Sequence, residues 1–232
     1  MSLIVGHRGA SHDFPENTLK AFAGALHQGA DWVELDVRRT ADGVLVVHHD
    51  AALADGTVIA TTVAADLPPL VPTLVEVFSV VGAMGVNVEI KNSPGEAGYD
   101  PTGEFASATV AEIEAHAGNR SILVSSFDAG TLAAVRAASP DLRTGYLVLS
   151  TEEPLDAIAR AIDDGHQAVN PWDPCVTEAS VRRAHDAGLA VNVWTVDDPD
   201  RIAQLAAWGV DAIITNRPAI ALHAIGRRPG AG

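Results

Sequence analysis

Apolar residues along the chain fall into two spacings. Short β-branched runs predict eight strands: Leu3–Gly6, Trp32–Val37, Val86–Ile90, Ile122–Ser125, Thr144–Val148, Ala168–Pro171, Val191–Thr195 and Ala212–Thr215. Between them the apolar positions keep a helical period, as Ile202 and Leu205 do. Six of the strands are entered in the same way, through Gly29, Gly85, Gly118, Gly165, Gly188 and Gly209. A glycine just past a helix takes the left-handed conformation that ends it, so each marks a helix-to-strand junction. Helix starts are marked by Asn17 or Thr18, by Asp128, by Pro154, by Thr177, and by Asp198 with Pro199 at the first helical position. A further strand, Val44–His49, is hairpinned onto the second through Ala41-Asp42-Gly43.

Strands that alternate with helices pair in parallel through right-handed crossovers. Eight such units in 232 residues predict an α/β fold, a (β/α)₈ TIM barrel forming one domain over residues 1–226. A doubly wound open sheet is the rival, and the count of eight favours the barrel. Residues 51–72 fit no strand–helix unit and read as a small insertion over the barrel mouth, after the second-strand hairpin. Residues 227–232 read as a disordered tail.

Composition narrows the partners. The chain is 47% hydrophobic, with no apolar run near the roughly 18 residues of a membrane span, so no stable membrane insertion is expected. A net charge of −15 argues against nucleic acid, which needs a basic stripe. The single cysteine, Cys175, forms no intrachain disulfide, and Met1 leads directly into a strand; both fit a cytoplasmic protein. Nothing in the pattern specifies an oligomeric state.

The polar residues collect where strands end. His7, Glu34, Asp36, Glu89, Lys91, Ser125, Asn170, Trp172, Trp194 and Asn216 all close their strands or stand just past them. In a barrel that is the catalytic end. Glu34 and Asp36, two residues apart on a strand, face the same way, and Glu89 with Lys91 repeats the spacing. Three converging carboxylates call for a cation between them, and an all-oxygen donor set suits Mg²⁺ or Ca²⁺. Neutralisation by Arg8 and Lys91 alone is the other reading, and spacing does not choose between them.

His7-Arg8-Gly9 offers an imidazole, a guanidinium whose fork matches phosphate oxygens, and a glycine that admits close approach. In His48-His49, strand alternation turns the rings to opposite faces, so at most one shares the cleft with His7. Pro15-Glu16-Asn17-Thr18 reads equally as a helix cap or as part of the site. Trp194 is either core packing or an aromatic wall for a small polyol. Ser125 and Ser126 have no evident activating group, so no covalent nucleophile is expected.

Taken together these segments resemble the glycerophosphodiester phosphodiesterases. The resemblance rests on His7-Arg8-Gly9, Pro15-Glu16-Asn17-Thr18, Glu34-Leu35-Asp36-Val37, Asp42-Gly43 through His49-Asp50, Pro72-Thr73-Leu74, Glu89-Ile90-Lys91, Ser126-Phe127, Val193-Trp194-Thr195-Val196 and Gly209-Val210-Asp211 through Pro218. They follow the family's order along nearly the whole chain. The resemblance implies a (β/α)₈ barrel and a divalent metal on Glu34, Asp36 and Glu89. It also implies an acid/base pair of His7 and His49, with Arg8 and Lys91 holding phosphate, and it selects His49 because the family's histidine directly precedes Asp. The implied reaction is metal-dependent hydrolysis of a small glycerophosphodiester to glycerol 3-phosphate and an alcohol, through a cyclic phosphate or by direct water attack. A sphingomyelinase-D-like or lysophospholipase D activity, or a silent barrel that binds phosphorylated ligands, are the alternatives. The chain departs from the family in a short 51–67 segment without the usual Arg-Thr pair, and in Asn216 where Asp is usual.

Overall fold

The computed structural model describes residues 1–148 and 153–228. Eight parallel strands close on themselves. They are β1 (Leu3–His7), β2 (Trp32–Arg39), β4 (Gly85–Ile90), β5 (Ile122–Ser126), β6 (Arg143–Val148), β7 (Ala168–Pro171), β8 (Ala190–Val193) and β9 (Ala212–Thr215). β3 (Leu45–Val47) pairs antiparallel with Val37–Arg39 at the end of β2. Closure is made by β1, which pairs in parallel with both β2 and β9. The fold is the (β/α)₈ barrel that the glycine-spaced pattern predicts.

Eight α-helices among the described residues follow the strands: α1 (Leu19–His27), α2 (Leu74–Val80), α3 (Glu104–His116), α4 (Ala129–Ala138), α5 (Pro154–Asp163), α6 (Glu178–Asp186), α7 (Pro199–Ala207) and α8 (Pro218–Ala224). Thr18, Asp128, Thr177 and Asp198 cap α1, α4, α6 and α7, each accepting from a backbone N–H of the first turn. The start of α2 carried a readable signal that sequence analysis passed over. Thr73 and Glu76 form a reciprocal capping box there.

Strand alternation divides the side chains into two sets. Val33, Leu35, Val37, Val86, Val88 and Ile90 point outward and pack under α1–α3, with Phe22, Leu74 and Phe105 fully buried among them. A second apolar layer continues around β6–β9. The inward set is largely polar at the carboxyl ends of the strands. At the amino ends a cavity of about 330 Å³ is lined mainly by apolar residues such as Leu3, Val5, Trp32 and Leu123, with Arg143 and Asp211 also on its wall.

Several boundaries differ from expectation. β3 stops at Val47 rather than His49, because the chain turns after pairing Val47 with Val37. β8 stops at Val193, leaving Trp194 in a single bridge to Trp172. Residues 51–72 form two short 3₁₀ turns whose Ile59 and Leu67 pack on Val46 of β3. That anchoring holds the insertion against β3, and it supplies none of the side chains that line the mouth cavity. Arg227, placed in the tail by sequence, makes two hydrogen bonds of 2.7 Å to the Asp31 carboxylate. Residues 229–232 of that tail lie outside the described residues. No helix among the described residues is long and apolar enough to cross a membrane.

Candidate active site

At the carboxyl end of the barrel, His7, Arg8, Glu34, His49, Glu89, Lys91, Phe127 and Trp194 line one cavity of about 140 Å³. It is smaller than the cavity at the opposite end, but it gathers two imidazoles, two cations and two carboxylates from the ends of several strands. Asp36 lies directly beneath, fully buried. Its carboxylate, with those of Glu34 and Glu89, offers ligand atoms that all lie within 4.8 Å of one another. The register explains the cluster. Asp36 of β2 is paired with Glu89 of β4, and His7 of β1 with Glu34 of β2.

Both readings of the carboxylates find some support in the contacts. Arg8 Nε lies 3.1 Å from Asp36 Oδ2, and Lys91 Nζ lies 2.8 Å from Glu89 Oε1 and 3.8 Å from Asp36 Oδ1. The two cations therefore serve mainly Asp36 and Glu89. Glu34 receives the Arg8 backbone N–H at 3.0 Å, and His7 Nε2 stands 4.0 Å away. Asp36 Oδ1 is buried without a hydrogen-bond donor. Three carboxylates against two cations leave the cluster one positive charge short when all are ionised.

That shortfall is visible in the proton affinities. Burial, then the charges of Asp36 and Glu89, push the Glu34 carboxyl well above the usual range. Burial and Asp36 push Glu89 up to about 7. Burial acts on Asp36 in the same sense, but Arg8, Lys91, His49 and the Asn17 hydrogen bond outweigh it and hold Asp36 below its ordinary value. A buried all-oxygen set with raised carboxyls and an acceptor lacking a donor fits a hard divalent cation.

The loop after β1 brings Arg8 to Asp36. Arg8 itself takes positive φ (55°), and Gly9 follows at φ 84° with its Cα against Ala21, where a Cβ would lie 2.5 Å from the Ala21 carbonyl carbon. Only glycine fits there. The Pro15-Glu16-Asn17-Thr18 segment turns out to serve both purposes left open by sequence. Thr18 caps α1, Asn17 Nδ2 donates to Asp36 Oδ2 at 2.8 Å, and Arg8 Nη1 donates to Glu16 Oε1 at 2.9 Å.

The two histidines of the cavity are oriented differently. His7 Nδ1 lies 2.7 Å from Asn216 Oδ1, and Asn216 Nδ2 donates to Asp197 Oδ2 at 2.6 Å. A carboxylate can only accept, so Asp197 turns the amide N–H₂ of Asn216 toward itself and the amide oxygen toward His7. The proton of neutral His7 then sits on Nδ1, leaving the Nε2 lone pair on the side of Glu34. Burial and the charge of Arg8 lower the His7 pKa and keep the ring neutral. His49 Nδ1 lies 2.7 Å from Asp50 Oδ1, while His48 turns its Nδ1 to the Asp50 carbonyl and does not line the cavity. Burial, ahead of Lys91 and Arg8, likewise lowers the His49 pKa, and Asp36 opposes the shift.

Trp194 donates its indole N–H to the Asn170 carbonyl at 2.8 Å and meets Phe127 edge-to-face at 5.8 Å, forming one wall of the cavity. Ser125 accepts from Asn87 and Ser126 donates to the Ile90 carbonyl; both are buried and committed to the barrel. Asn17 and Asp197 are the participants that sequence reasoning did not assign. Each touches the cavity only through another residue.

Comparison with known proteins agrees with this geometry. The family model for the glycerophosphoryl diester phosphodiesterase family matches residues 7–220. The chain belongs to that family. It is 30% identical over 243 residues to a glycerophosphodiester phosphodiesterase of Caldanaerobacter subterraneus, covering 94% of this chain and 95% of the relative. Among solved structures, a phosphodiesterase from Oleispira antarctica in complex with the product sn-glycerol-3-phosphate superposes with a TM-score of 0.88 at 28% identity, covering 97% of each chain. A glycerophosphodiester phosphodiesterase from Thermotoga maritima superposes at 0.80 and 28% identity, covering 98% of this chain and 99% of its own.

The charge shortfall has a measurable consequence in the metal-free protein. Because Glu89 is raised from 4.5 to about 7 in the folded state, the folded chain holds an extra proton across that window, and stability falls as pH rises through it. Glu89→Gln is expected to raise metal-free stability at pH 8 by on the order of 3 kcal/mol, since each pKa unit is about 1.4 kcal/mol, and to change it little at pH 4. Thermal unfolding of both proteins at the two pH values tests this, and equal effects at both would contradict it.

Proposed function

We propose that this enzyme hydrolyses small glycerophosphodiesters to glycerol 3-phosphate and an alcohol, with His7 and His49 as the acid/base pair. The observation that carries the reading is one cavity lined by two imidazoles, Arg8, Lys91 and the Glu34–Glu89 cluster. Family membership and the product complex of the Oleispira antarctica phosphodiesterase support the substrate class.

Glu34, Asp36 and Glu89 would hold a divalent metal, Mg²⁺ or Ca²⁺, which when bound supplies Lewis-acid stabilisation of charge on the phosphate oxygens. Arg8 and Lys91 hold the phosphate, Arg8 through its fork and Lys91 as a point charge. Trp194 with Phe127 walls the side where the glycerol or alcohol lies. His7 accepts a proton at Nε2, its Nδ1–H fixed by Asn216. The 2-hydroxyl of the glycerol attacks phosphorus, gaining the advantage of intramolecular reaction, with effective molarities of roughly 10⁵–10⁸ M. His49 gives a proton to the departing alcohol. The roles then reverse, and water opens the cyclic phosphate. Each transfer contributes roughly 10²–10⁴-fold.

Excess EDTA is expected to abolish hydrolysis of glycerophosphocholine, and added Mg²⁺ or Ca²⁺ to restore it; full turnover in EDTA would refute the metal assignment. His7→Ala and His49→Ala are each expected to lower kcat by at least about 10²-fold with the fold intact, while His48→Ala changes it little. Steady-state kinetics with circular dichroism decide, and an inactive His48→Ala beside an active His49→Ala would reverse the assignment. A substrate lacking the glycerol 2-hydroxyl keeps the phosphate contacts but loses the internal nucleophile. It should turn over very slowly, and cleavage near the normal rate would exclude the cyclic route.

A further inference from the structure

His49 stands where the sheet no longer holds the chain. β3 ends at Val47, and among the described residues the side chain bonded to the His49 ring is that of Asp50, which is 74% exposed. A solvent-exposed pair orients a ring weakly. Two backbone contacts hold the segment instead. The His48 N–H donates to the Asp36 carbonyl at 2.9 Å, and Arg38 grips the next peptide.

Arg38 lies on β2, two residues beyond Asp36, with its side chain 6% exposed. Its Nε and Nη2 both donate to the His49 carbonyl oxygen, at 2.8 and 2.5 Å. Its Nη1 donates to Glu96 Oε2 at 3.0 Å, in the loop that follows β4 and Lys91. Two donors from one rigid plane onto one carbonyl set the direction of the peptide, and the third donor on Glu96 stops the guanidinium from rotating. A peptide held in this way fixes the direction of the His49 Cα–Cβ bond and so the arc that the ring can sweep. The five-donor fork of arginine does this, and the single ammonium of lysine does not.

We propose that Arg38 is a positioning residue for the hydrolysis: it holds the His49 peptide so that the imidazole faces the phosphate, without touching substrate or carrying a proton. The inference rests on the role of His49 stated above. It accounts for a buried arginine whose charge is spent on a backbone oxygen and one loop carboxylate rather than on the carboxylate cluster two residues away.

The test compares Arg38→Met, Arg38→Lys and His49→Ala with the wild type on glycerophosphocholine at saturating divalent metal. Misplacing a catalytic group by about 1 Å costs on the order of 10²-fold, so Arg38→Met is expected to lose roughly that in kcat with KM little changed. Arg38→Lys should fall between it and the wild type, and methylguanidinium in solution should restore part of the Arg38→Met rate. In ¹H–¹³C spectra the His49 ring signal should shift or broaden in Arg38→Met while that of His7 stays in place. A folded Arg38→Met with wild-type kcat beside an inactive His49→Ala overturns the inference and leaves the His49 assignment standing. A loss confined to KM also overturns it. An active His49→Ala overturns both. If Arg38→Met does not fold, Arg38→Lys decides alone: a reduced kcat with a displaced His49 signal supports the role, and wild-type values in both remove it.

Discussion

Three carboxylates whose ligand atoms lie within 4.8 Å of one another, with Arg8 and Lys91 as the cations paired to them, are the constraint around which this molecule is arranged. Like charges at that spacing repel strongly once water is withdrawn. The protein divides the cost unequally. Asp36, which receives Arg8, Lys91 and Asn17, stays ionised, while Glu34 and Glu89 retain protons to higher pH. A site so divided is one positive charge short when all three carboxylates are ionised, and the proposed chemistry uses that deficit.

Neighbouring strands of the parallel barrel bring this set together, Glu34 and Asp36 from β2 and Glu89 from β4, with Arg8 and Lys91 just past β1 and β4. The alternation that buries Val33, Leu35 and Val37 beneath the helices necessarily turns Glu34 and Asp36 inward. The same apolar layer that stabilises the fold therefore forces the carboxylates into one mouth. Closure of β1 onto β9 then places Asn216 beside His7, across 209 residues of sequence.

Around the charged centre stand groups that set the direction of its side chains. Asn17 steadies Asp36, and Asp197 acts through Asn216 to settle which nitrogen of His7 carries the proton. The amide of Asn216 meets His7 with a hydrogen bond while placing no negative charge of its own against the ring. Asp197 recovers the orientation that an amide alone would leave ambiguous, because only the N–H₂ end can face a carboxylate.

The local elements were legible in the sequence because their causes are local. A glycine that ends a helix and a Thr, Asp or Pro that begins one act within a few residues, and β-branched runs declare strands without knowing their neighbours. The same alternation predicted which face Glu34, Asp36 and Glu89 share. At His48-His49 the strand behind that reading ends at Val47, yet its outcome holds, with His49 lining the cavity and His48 outside it. The reading of Pro15-Glu16-Asn17-Thr18 stayed divided because a cap and a contact with Asp36 leave the same residues in the sequence. What only the tertiary structure decided were the long-range partners: Asn17 on Asp36, Asn216 and Asp197 behind His7, and Arg38 on His49. Those contacts depend on strand register and barrel closure, which are set by the packing of the whole apolar layer and leave no periodic trace along the chain.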